Sequence, residues 1–306
     1  MKKNGGRFVP LLILMTCLFG LSFIATKQAL NGLGIFQVVF FRHIIALLPL
    51  TLILWRDKEM FFIAPGDRWP LLILTFVEPV GYFIFETFGL RYTSPALVSI
   101  IIATIPVFSL VFAYWILDEK VNLIALLGIF LSLLGVYGVV SIQQKSALAP
   151  LPLLGNILAL GAAISAGFYN VLCRKLTQSY SPWTITFYQA VVASIVFLPL
   201  TFFEGGISNI VGWNKSVLIS ILYLSLGSSV LAYYLLNYSL RHLPTHKVAI
   251  FANLIPVVTV FWSWVIYGEW LGLRQLLGAL VVILGVYLTY YRFKRKKISD
   301  KNTSVY

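Results

Sequence analysis

The sequence predicts an all-α integral membrane protein whose ten transmembrane helices form two inverted five-helix repeats. Three observations predict this fold: an apolar composition, ten long apolar runs and a block of sequence that occurs twice. Of the 306 residues, 59% are hydrophobic and 11% are charged, and the mean hydropathy is +0.90. A soluble domain would carry about 25% charged residues, so the composition favours a membrane protein.

The repeated block covers Leu90–Val140 and recurs, without a gap, 150 residues later as Leu240–Tyr290. Shared aliphatic positions mean little in so apolar a chain, but residues of unlike chemistry keep the same offset. These pairs are Arg91/Arg241, Pro106/Pro256, Glu119/Glu269, Gly128/Gly278, Gly135/Gly285 and Tyr137/Tyr287. A period of half a chain indicates duplication of a multi-helix unit. We therefore expect one repeat over residues 1–145 and a second over residues 146–306, which ends in a basic cytoplasmic tail.

Ten runs are apolar over about the 20 residues that a helix needs to cross a bilayer. They cover residues 8–30, 35–55, 69–90, 94–117, 122–142, 153–173, 182–203, 216–238, 244–267 and 271–291. Turn-forming residues separate the runs, as in the Asn31–Gly34 and Ala149–Pro152 stretches. Membrane-spanning strands would show shorter, alternating patterns, so each run is predicted to be a helix.

The basic residues predict the orientation, because Lys and Arg in short loops stay on the cytoplasmic side. If both termini are cytoplasmic, most of the 23 basic residues fall inside. The outer loops keep only Arg91, Lys145, Lys215 and Arg274. Five helices per half then make the second half enter from the opposite face, so the repeats are inverted. This asymmetry also explains the net charge of +13 without nucleic acid, for which no base-reading motif is present in the sequence.

The sequence carries no recognisable motif for a cofactor, a metal or a catalytic group. Cys17 and Cys173 lie inside apolar runs, and Pro244 separates His242 from His246. The few acids and the three histidines provide no nucleophile, base and orienting group at a known spacing. We therefore expect no cofactor, no metal site and no catalytic residue. A membrane-embedded enzyme acting on lipid is the third of the functions considered.

Pro106 and Pro256 lie near the middle of their predicted helices. A proline there frees the carbonyl four residues earlier, which belongs to Ile102 or Ala252. A freed carbonyl needs a polar partner that lipid cannot supply, so we expect the two prolines to kink their helices beside a central cavity. Thr104 and Asn253 would then be polar lining. The alternative is a kink that serves packing alone.

Ionisable side chains inside membrane spans are costly and are candidates for function. The set is Lys27, Arg42, His43, Glu78 and Glu86. Glu78 lies nearest the middle of a span, and eight residues place Glu86 two turns away on nearly the same face. We expect Glu78 to bind an ammonium group or a proton, and Lys27 and Arg42 to attract a carboxylate. The alternative has the two cations reaching to the interface, with Glu86 paired to one of them.

The second half offers polar but neutral side chains at the corresponding depth, namely Asn170, Gln189 and Asn237. Asn237 is therefore also a candidate for substrate binding. Aromatic side chains are candidates for a pocket wall, although most are expected to pack or to lie at the interface. They are Tyr82, Phe83, Tyr114, Trp115, Tyr233, Tyr234 and Trp262.

Gly128, Gly135, Gly278 and Gly285 recur at seven-residue spacing. This spacing keeps them on about one helix face, where small residues let neighbouring helices approach closely. We expect them to be packing positions.

The repeated motifs resemble those of the EamA-type branch of the drug/metabolite transporter superfamily. The resemblance rests on Gly89–Ala96, Thr104–Phe108, Asp118–Lys120 and Leu127–Tyr137, and on their second copies. The second copies are Ile255–Val257, Gly268–Glu269 and Leu277–Val286. Gly20, Lys27 and Arg42 are also similar to recurrent family positions, and the likeness covers nearly the whole chain.

The resemblance implies a carrier of the bacterial inner membrane, a monomer or homodimer, that exports small molecules by alternating access. Amino acids or related zwitterions are the first substrate class, and drugs or lipophilic cations are the alternative. Glu78 would also allow coupling to protons. The sequence departs from the pattern where the second half lacks cationic counterparts, since Cys173 is aligned with Lys27 and Gln189 with Arg42.

Overall fold

The computed structural model describes residues 8–56, 61–117, 123–140, 146–206 and 213–291. Every regular element in these ranges is helical. The helices are α1 (Val9–Ala29), α2 (Ile35–Trp55), α3 (Pro65–Tyr92), α4 (Pro95–Ile116), α5 (Leu123–Val140), α6 (Pro152–Leu176), α7 (Pro182–Glu204), α8 (Lys215–His242), α9 (Lys247–Tyr267) and α10 (Leu273–Tyr291). Glu119 and the basic tail predicted at the C-terminus lie outside the described residues.

The described helices are those of a membrane protein. Eight of them are long and apolar enough to cross a bilayer, and α5 and α10 contain shorter apolar stretches at Leu126–Val139 and Leu273–Leu288. Large apolar side chains cover the outside of the bundle, with Phe203 84% and Leu273 74% exposed. A soluble monomer rarely exposes so much contiguous apolar surface. The prediction of an all-α integral membrane protein is confirmed.

Short polar residues start several helices. The Ser94 hydroxyl accepts a hydrogen bond from Leu97 N at 3.4 Å, before Pro95 opens α4. Ser181 does the same for Trp183 N at 3.3 Å in α7, and Asn214 for Val217 N at 2.8 Å in α8. Each cap satisfies a backbone donor that would otherwise lack a partner at the helix end.

Breaks in the helices recur in both halves of the chain. The π-helical segment Phe76–Gly81 interrupts α3, and the π-helical segment Tyr223–Ala232 interrupts α8. In α4 a turn precedes Ile105–Leu117, and in α9 the 3₁₀ segment Ile250–Leu254 precedes Ile255–Tyr267. Pro106 and Pro256 therefore each sit in the first turn of a new helical segment. A proline is tolerated there because its missing N–H would have no intrahelical partner.

Helices α5 and α10 pack against each other in opposite directions. A Cβ at Gly135 would lie 2.6 Å from Val282 N and 2.8 Å from Gly278 O. A Cβ at Gly285 would lie 2.7 Å from Gly128 O. Gly128 at the start of α5 thus lies near Gly285 toward the end of α10, whereas Gly135, later in α5, lies near Gly278, earlier in α10. The two helices are therefore antiparallel. The predicted glycines permit this close approach.

Two further contacts join the halves of the chain, one between α6 and α4 and one between α1 and α9. Gly167 of α6 packs on α4, where a Cβ would lie 2.9 Å from Ser109 N, and Gly20 of α1 packs on α9, where a Cβ would lie 2.7 Å from Val258 Cβ. The Thr259 hydroxyl also donates to Gly20 O at 2.9 Å. Gly20 and Gly167 are 147 residues apart, and Ser109 and Thr259 are 150 apart. The contacting residues thus differ by nearly the same number, 147 or 150, in the two contacts.

Candidate functional site

A cavity of about 550 Å³, part of it continuous with the surroundings, lies between α1, α3, α4, α6, α8 and α9. Its central wall is formed by pairs of residues at equivalent positions of the two halves. These pairs are Phe19/Ala166, Phe23/Asn170, Ile102/Ala252 and Ile105/Ile255. Glu78, Tyr82 and Tyr233 complete the middle of the wall.

Glu78 brings a carboxylate to this wall although the residue is only 3% exposed. One carboxylate oxygen, Oε1, accepts a hydrogen bond from the Tyr233 hydroxyl. The other, Oε2, has no hydrogen-bond partner among the described residues. A buried polar atom without a partner is costly. Glu78 Oε2 can therefore accept an ammonium hydrogen or a proton at little further desolvation cost.

The backbone of α3 explains how Glu78 reaches the wall. Glu78 has φ −147° and ψ 116°, outside the helical range, within the π-helical segment. Pro79 follows and has no N–H to continue the hydrogen-bond ladder. The Gln189 side chain of α7 donates from Nε2 to the Glu78 carbonyl oxygen at 3.3 Å. The break thus turns Glu78 into the bundle, and a side chain of the other half satisfies its backbone.

Arg42 lies behind the wall, not in it. Its Nε donates to Ser229 Oγ at 3.0 Å and its Nη2 to Ser228 Oγ at 2.9 Å. The guanidinium lies 4.2 Å from the Phe83 ring centroid, a cation–π distance, and the side chain is 1% exposed. Arg42 is therefore committed to the π-helical segment of α8.

Glu86 also lies behind the wall and is 1% exposed. Its Oε2 accepts a hydrogen bond from the Thr87 hydroxyl at 3.1 Å. Glu86 is close enough to Arg42 for the two charges to interact. Glu86 is thus an acid near the buried Arg42 and outside the lining of the cavity.

Lys27 is held at one end of the bundle, away from the cavity lining. Its ammonium donates to three carbonyl oxygens: Leu90 O at 2.5 Å, Thr93 O at 3.0 Å and Leu148 O at 2.7 Å. An ammonium has three donors, so all of them are used. Lys27 therefore ties the end of α1 to the corner between α3 and α4 and, through Leu148, to the segment that precedes α6.

The second half does contain a cationic counterpart of Lys27, and the alignment with Cys173 was wrong. The close contacts of Gly20 and Gly167 set the offset between α1 and α6 at 147 residues, which pairs Lys27 with Arg174. Arg174 donates from Nη1 to the Leu243 carbonyl oxygen. Leu243 lies 150 residues after Thr93. Arg174 thus ties the end of α6 to the corner between α8 and α9.

The offset changes from 147 to 150 inside α8. The first helical segments, Arg68–Thr75 and Lys215–Leu222, still differ by 147. The π-helical segment of α8 is longer than that of α3 and takes up the additional residues. Nothing in the apolar pattern of α1 and α6 could reveal this shift.

Asn237 is fully buried in a polar network beside the cavity. Its Oδ1 accepts hydrogen bonds from the Tyr169 hydroxyl at 2.5 Å and from Cys173 Sγ at 3.2 Å. Its Nδ2 donates to Thr186 Oγ1 at 3.0 Å and to Gln189 Oε1 at 3.4 Å. Asn237 therefore links α6, α7 and α8.

Replacing Asn237 by Leu is expected to lower the stability of the protein, by about 1–3 kcal/mol for each polar partner left unpaired. Thermal unfolding of the purified protein in detergent measures this loss. Asn253→Leu is the matched control, because Asn253 Oδ1 is buried without a hydrogen-bond partner in the described part of the chain. Equal melting temperatures for the two variants would contradict the network.

The remaining predicted residues divide between wall and surroundings. Tyr82 and Tyr233 line the cavity, whereas Tyr114 and Trp115 are exposed on the outside of the bundle. Ile102 and Ala252 both line the cavity, whereas Pro106, Pro256 and Asn253 are not among its lining residues. The Ala252 carbonyl oxygen accepts a hydrogen bond from Ile255 N, so the free carbonyl expected from the position of Pro256 is not found. Thr104 donates to Ile101 O at 2.6 Å.

Interrupted helices that enclose a cavity with a buried carboxylate are typical of membrane carriers. A sequence profile of the EamA-like transporter family matches the chain at residues 7–141 and again at residues 153–291. The chain therefore belongs to the EamA-like transporter family and is a membrane transporter.

Relatives span nearly the whole chain. The uncharacterized transporter YcxC of Bacillus subtilis is 29% identical over 90% of this chain and 89% of its own length. A protein of Salmonella typhimurium named a probable amino-acid metabolite efflux pump is 25% identical over 97% of both chains. A solved crystal structure of another protein, 14% identical, matches 92% of this chain and 98% of its own with a TM-score of 0.67, which shows a shared fold.

Proposed function

We propose that the protein exports small amine-bearing metabolites, amino acids first among them, across the bacterial cytoplasmic membrane. The observation that carries the proposal is Glu78, whose Oε2 has no partner in the described chain and whose side chain lines the cavity. A carboxylate in a site of low dielectric attracts an ammonium group strongly. The same oxygen takes a proton when the site is empty, which would couple export to a proton gradient.

The proposed architecture is a ten-helix carrier with inverted repeats and both termini in the cytoplasm. The antiparallel contact of α5 with α10 supports it, as does the exchanged contact of Gly20 and Gly167 with α9 and α4. An axis that relates two antiparallel equivalent helices lies across them and hence in the membrane plane. Carriers built this way alternate access by rocking one repeat against the other.

Amino acids are the first substrate class for two reasons. The Salmonella relative is named for amino-acid metabolites and for efflux. The cavity also combines one carboxylate with apolar side chains such as Phe19, Phe23 and Ile105, which suits an amine on an apolar body. In this proposal Glu78 and Tyr82 contact the substrate. Arg42, Lys27, Glu86, Asn237 and Asn253 support the wall, and Pro106 and Pro256 shape it.

Drugs or lipophilic cations are a second candidate. The observation in their favour is that the described lining of the cavity contains an acid but no Lys or Arg. A free carboxylate on the substrate would find only the Asn170 amide and the tyrosine hydroxyls. A cation that lacks a carboxylate needs no such polar partner, so the described lining also suits it.

Counterflow into proteoliposomes separates the two candidates. Vesicles are preloaded with unlabelled amino acids, and labelled leucine, threonine or tetraphenylphosphonium is added outside, with protein-free vesicles as control. Saturable accumulation of a labelled amino acid supports the first candidate. For the second candidate the vesicles are preloaded with unlabelled tetraphenylphosphonium, and saturable accumulation of labelled tetraphenylphosphonium inside them supports it. The absence of flux for every probe, with folded protein inserted, would contradict both.

A further inference from the structure

The Tyr233 hydroxyl is the one hydrogen-bond partner of the Glu78 carboxylate in the described chain. Tyr233 belongs to α8 in the second half, whereas Glu78 belongs to α3 in the first. The Tyr233 ring is packed edge-on against Phe19 and Phe83, with centroids at 5.3 Å and 6.2 Å. These contacts fix the direction in which its hydroxyl points.

Arg42 holds this arrangement from behind. It binds Ser228 and Ser229, which lie one turn before Tyr233. Its guanidinium also covers the Phe83 ring, which contacts Tyr233. The position of the Tyr233 hydroxyl is therefore set by several buried contacts, and Glu78 Oε1 stays occupied.

We propose that Tyr233 is a positioning residue that makes the Glu78 site select ammonium groups over guanidinium groups. The inference rests on the proposed function, since it concerns the same carboxylate. A guanidinium binds best with two parallel hydrogen bonds to both oxygens of a carboxylate. Tyr233 already donates to Oε1, which leaves one lone pair on that oxygen, whereas Oε2 has no partner in the described chain and is the better acceptor. One acceptor suffices for an ammonium, which is a compact point charge.

Two probes with the same body and different head groups test the inference. Phenethylamine carries an ammonium, and phenethylguanidine carries a guanidinium. Equilibrium binding of each to the full chain in nanodiscs is measured for the wild type and for Tyr233→Phe, which keeps the ring and removes the hydroxyl. Tyr188→Phe is the control, since its hydroxyl donates to Phe61 O at 2.7 Å and not to Glu78.

The wild type is expected to bind phenethylamine about tenfold more tightly than phenethylguanidine. Tyr233→Phe should remove or reverse this preference, because the guanidinium could then donate to both oxygens of Glu78. Tyr188→Phe should keep the preference of the wild type. A wild-type preference for the guanidine would overturn the inference, whatever the variant does. An unchanged preference in Tyr233→Phe, with binding lost in Glu78→Gln, would overturn this inference alone. Wild-type binding by Glu78→Gln would overturn the proposed function as well.

A separate observation concerns the two ends of the bundle. Beyond its central pairs, the cavity is also lined by Met15, Leu236, Val248 and Ala249. All four lie toward the corner where Arg174 binds Leu243. Their equivalents toward Lys27, such as Glu86, Val98 and Ser99, do not line the cavity. The cavity therefore extends toward the Arg174 end and stops short of the Lys27 end.

The two ends also differ in how firmly they are tied. Among the described residues, Lys27 makes three hydrogen bonds to carbonyl oxygens, two at the corner between α3 and α4 and one to Leu148 before α6, whereas the equivalent Arg174 makes one, to Leu243. We infer that Lys27 and Arg174 are equivalent latches of the two gates. In this structure the Lys27 latch is the more fully bonded of the two, and the opposite state is expected to strengthen the bonds of Arg174 and to release Lys27. This inference depends neither on the substrate nor on which end is cytoplasmic.

Hydrogen–deuterium exchange of the full chain in nanodiscs tests the latches with Lys27→Met and Arg174→Met. Lys27→Met is expected to raise uptake severalfold in peptides around Leu90–Pro95 and to lower it around Arg241–Thr245, because the population shifts to the opposite state. Arg174→Met should leave the Leu90–Pro95 peptides at wild-type uptake. A rise confined to the Lys27 corner, without change at the other end, would mean a local tie and would overturn the inference. If Lys27→Met does not fold, Lys27→Arg replaces it, because a guanidinium cannot place three donors at one point. The same changes in deuterium uptake at the two corners are then expected.

Discussion

Glu78→Gln is expected to reduce the transport efficiency, kcat/KM, for an amine substrate by about 10- to 100-fold. The substitution keeps the size of the side chain and its bond to Tyr233 but removes the negative charge. A hydrogen bond to a charged group contributes about 1.5–3 kcal/mol, and each 1.4 kcal/mol corresponds to a factor of ten. Initial rates of counterflow at several substrate concentrations measure the effect.

Glu86→Gln is the matched control for this variant. Glu86 is an acid of the same helix and is equally buried, but it does not line the cavity. We expect it to keep most of the affinity for substrate. Equal losses of kcat/KM in the two variants, at equal amounts of folded protein, would show that the carboxylates act through Arg42 and not through the substrate.

The second large effect is expected for Gly135→Val at the contact of α5 and α10. Any Cβ there would lie 2.6 Å from Val282 N and 2.8 Å from Gly278 O. Both neighbours are backbone atoms, which cannot turn aside, so the helices must separate. Overpacking of this kind costs about 1–3 kcal/mol or more, and we expect a lower melting temperature and less monodisperse protein in detergent.

Gly138→Ala provides the control in the same helix. A Cβ at Gly138 would meet its nearest neighbour, Gly278 Cα, only at 4.0 Å, an ordinary van der Waals distance. The melting temperature should stay near that of the wild type. A Gly135→Val protein as stable as Gly138→Ala would mean that α5 and α10 do not pack in this way.

The helices and the doubled pattern could be predicted from the sequence because both depend on residue type and spacing. Proline, glycine and a run of about 20 apolar residues have the same local consequence in most membrane proteins. Glu78 could be predicted as a functional residue for a similar reason, since an acid in the middle of a span is costly wherever it points.

The partners of the charged residues could not be predicted. Whether Lys27 meets a substrate or three backbone carbonyls depends on where the corner after α3 folds back, which no residue type specifies. The pairing of Lys27 with Arg174 could not be predicted either, because the apolar runs of α1 and α6 do not fix their alignment to a single residue. The sequence did not distinguish Tyr233 from the other aromatic residues of the predicted helices. Its proposed role follows from its contact with Glu78, which only the structure shows.

In the proposed mechanism the transported amine occupies the Glu78 site during each transport cycle. An apolar carbodiimide that reacts with buried carboxyl groups can be applied to the protein in nanodiscs, and mass spectrometry then quantifies the modification of Glu78 and Glu86. We predict that leucine, or the amine found by counterflow, protects Glu78 at the concentrations that saturate transport and leaves Glu86 unaffected. Unchanged modification of Glu78 at saturating substrate would contradict the account, because the transported molecule would then bind elsewhere.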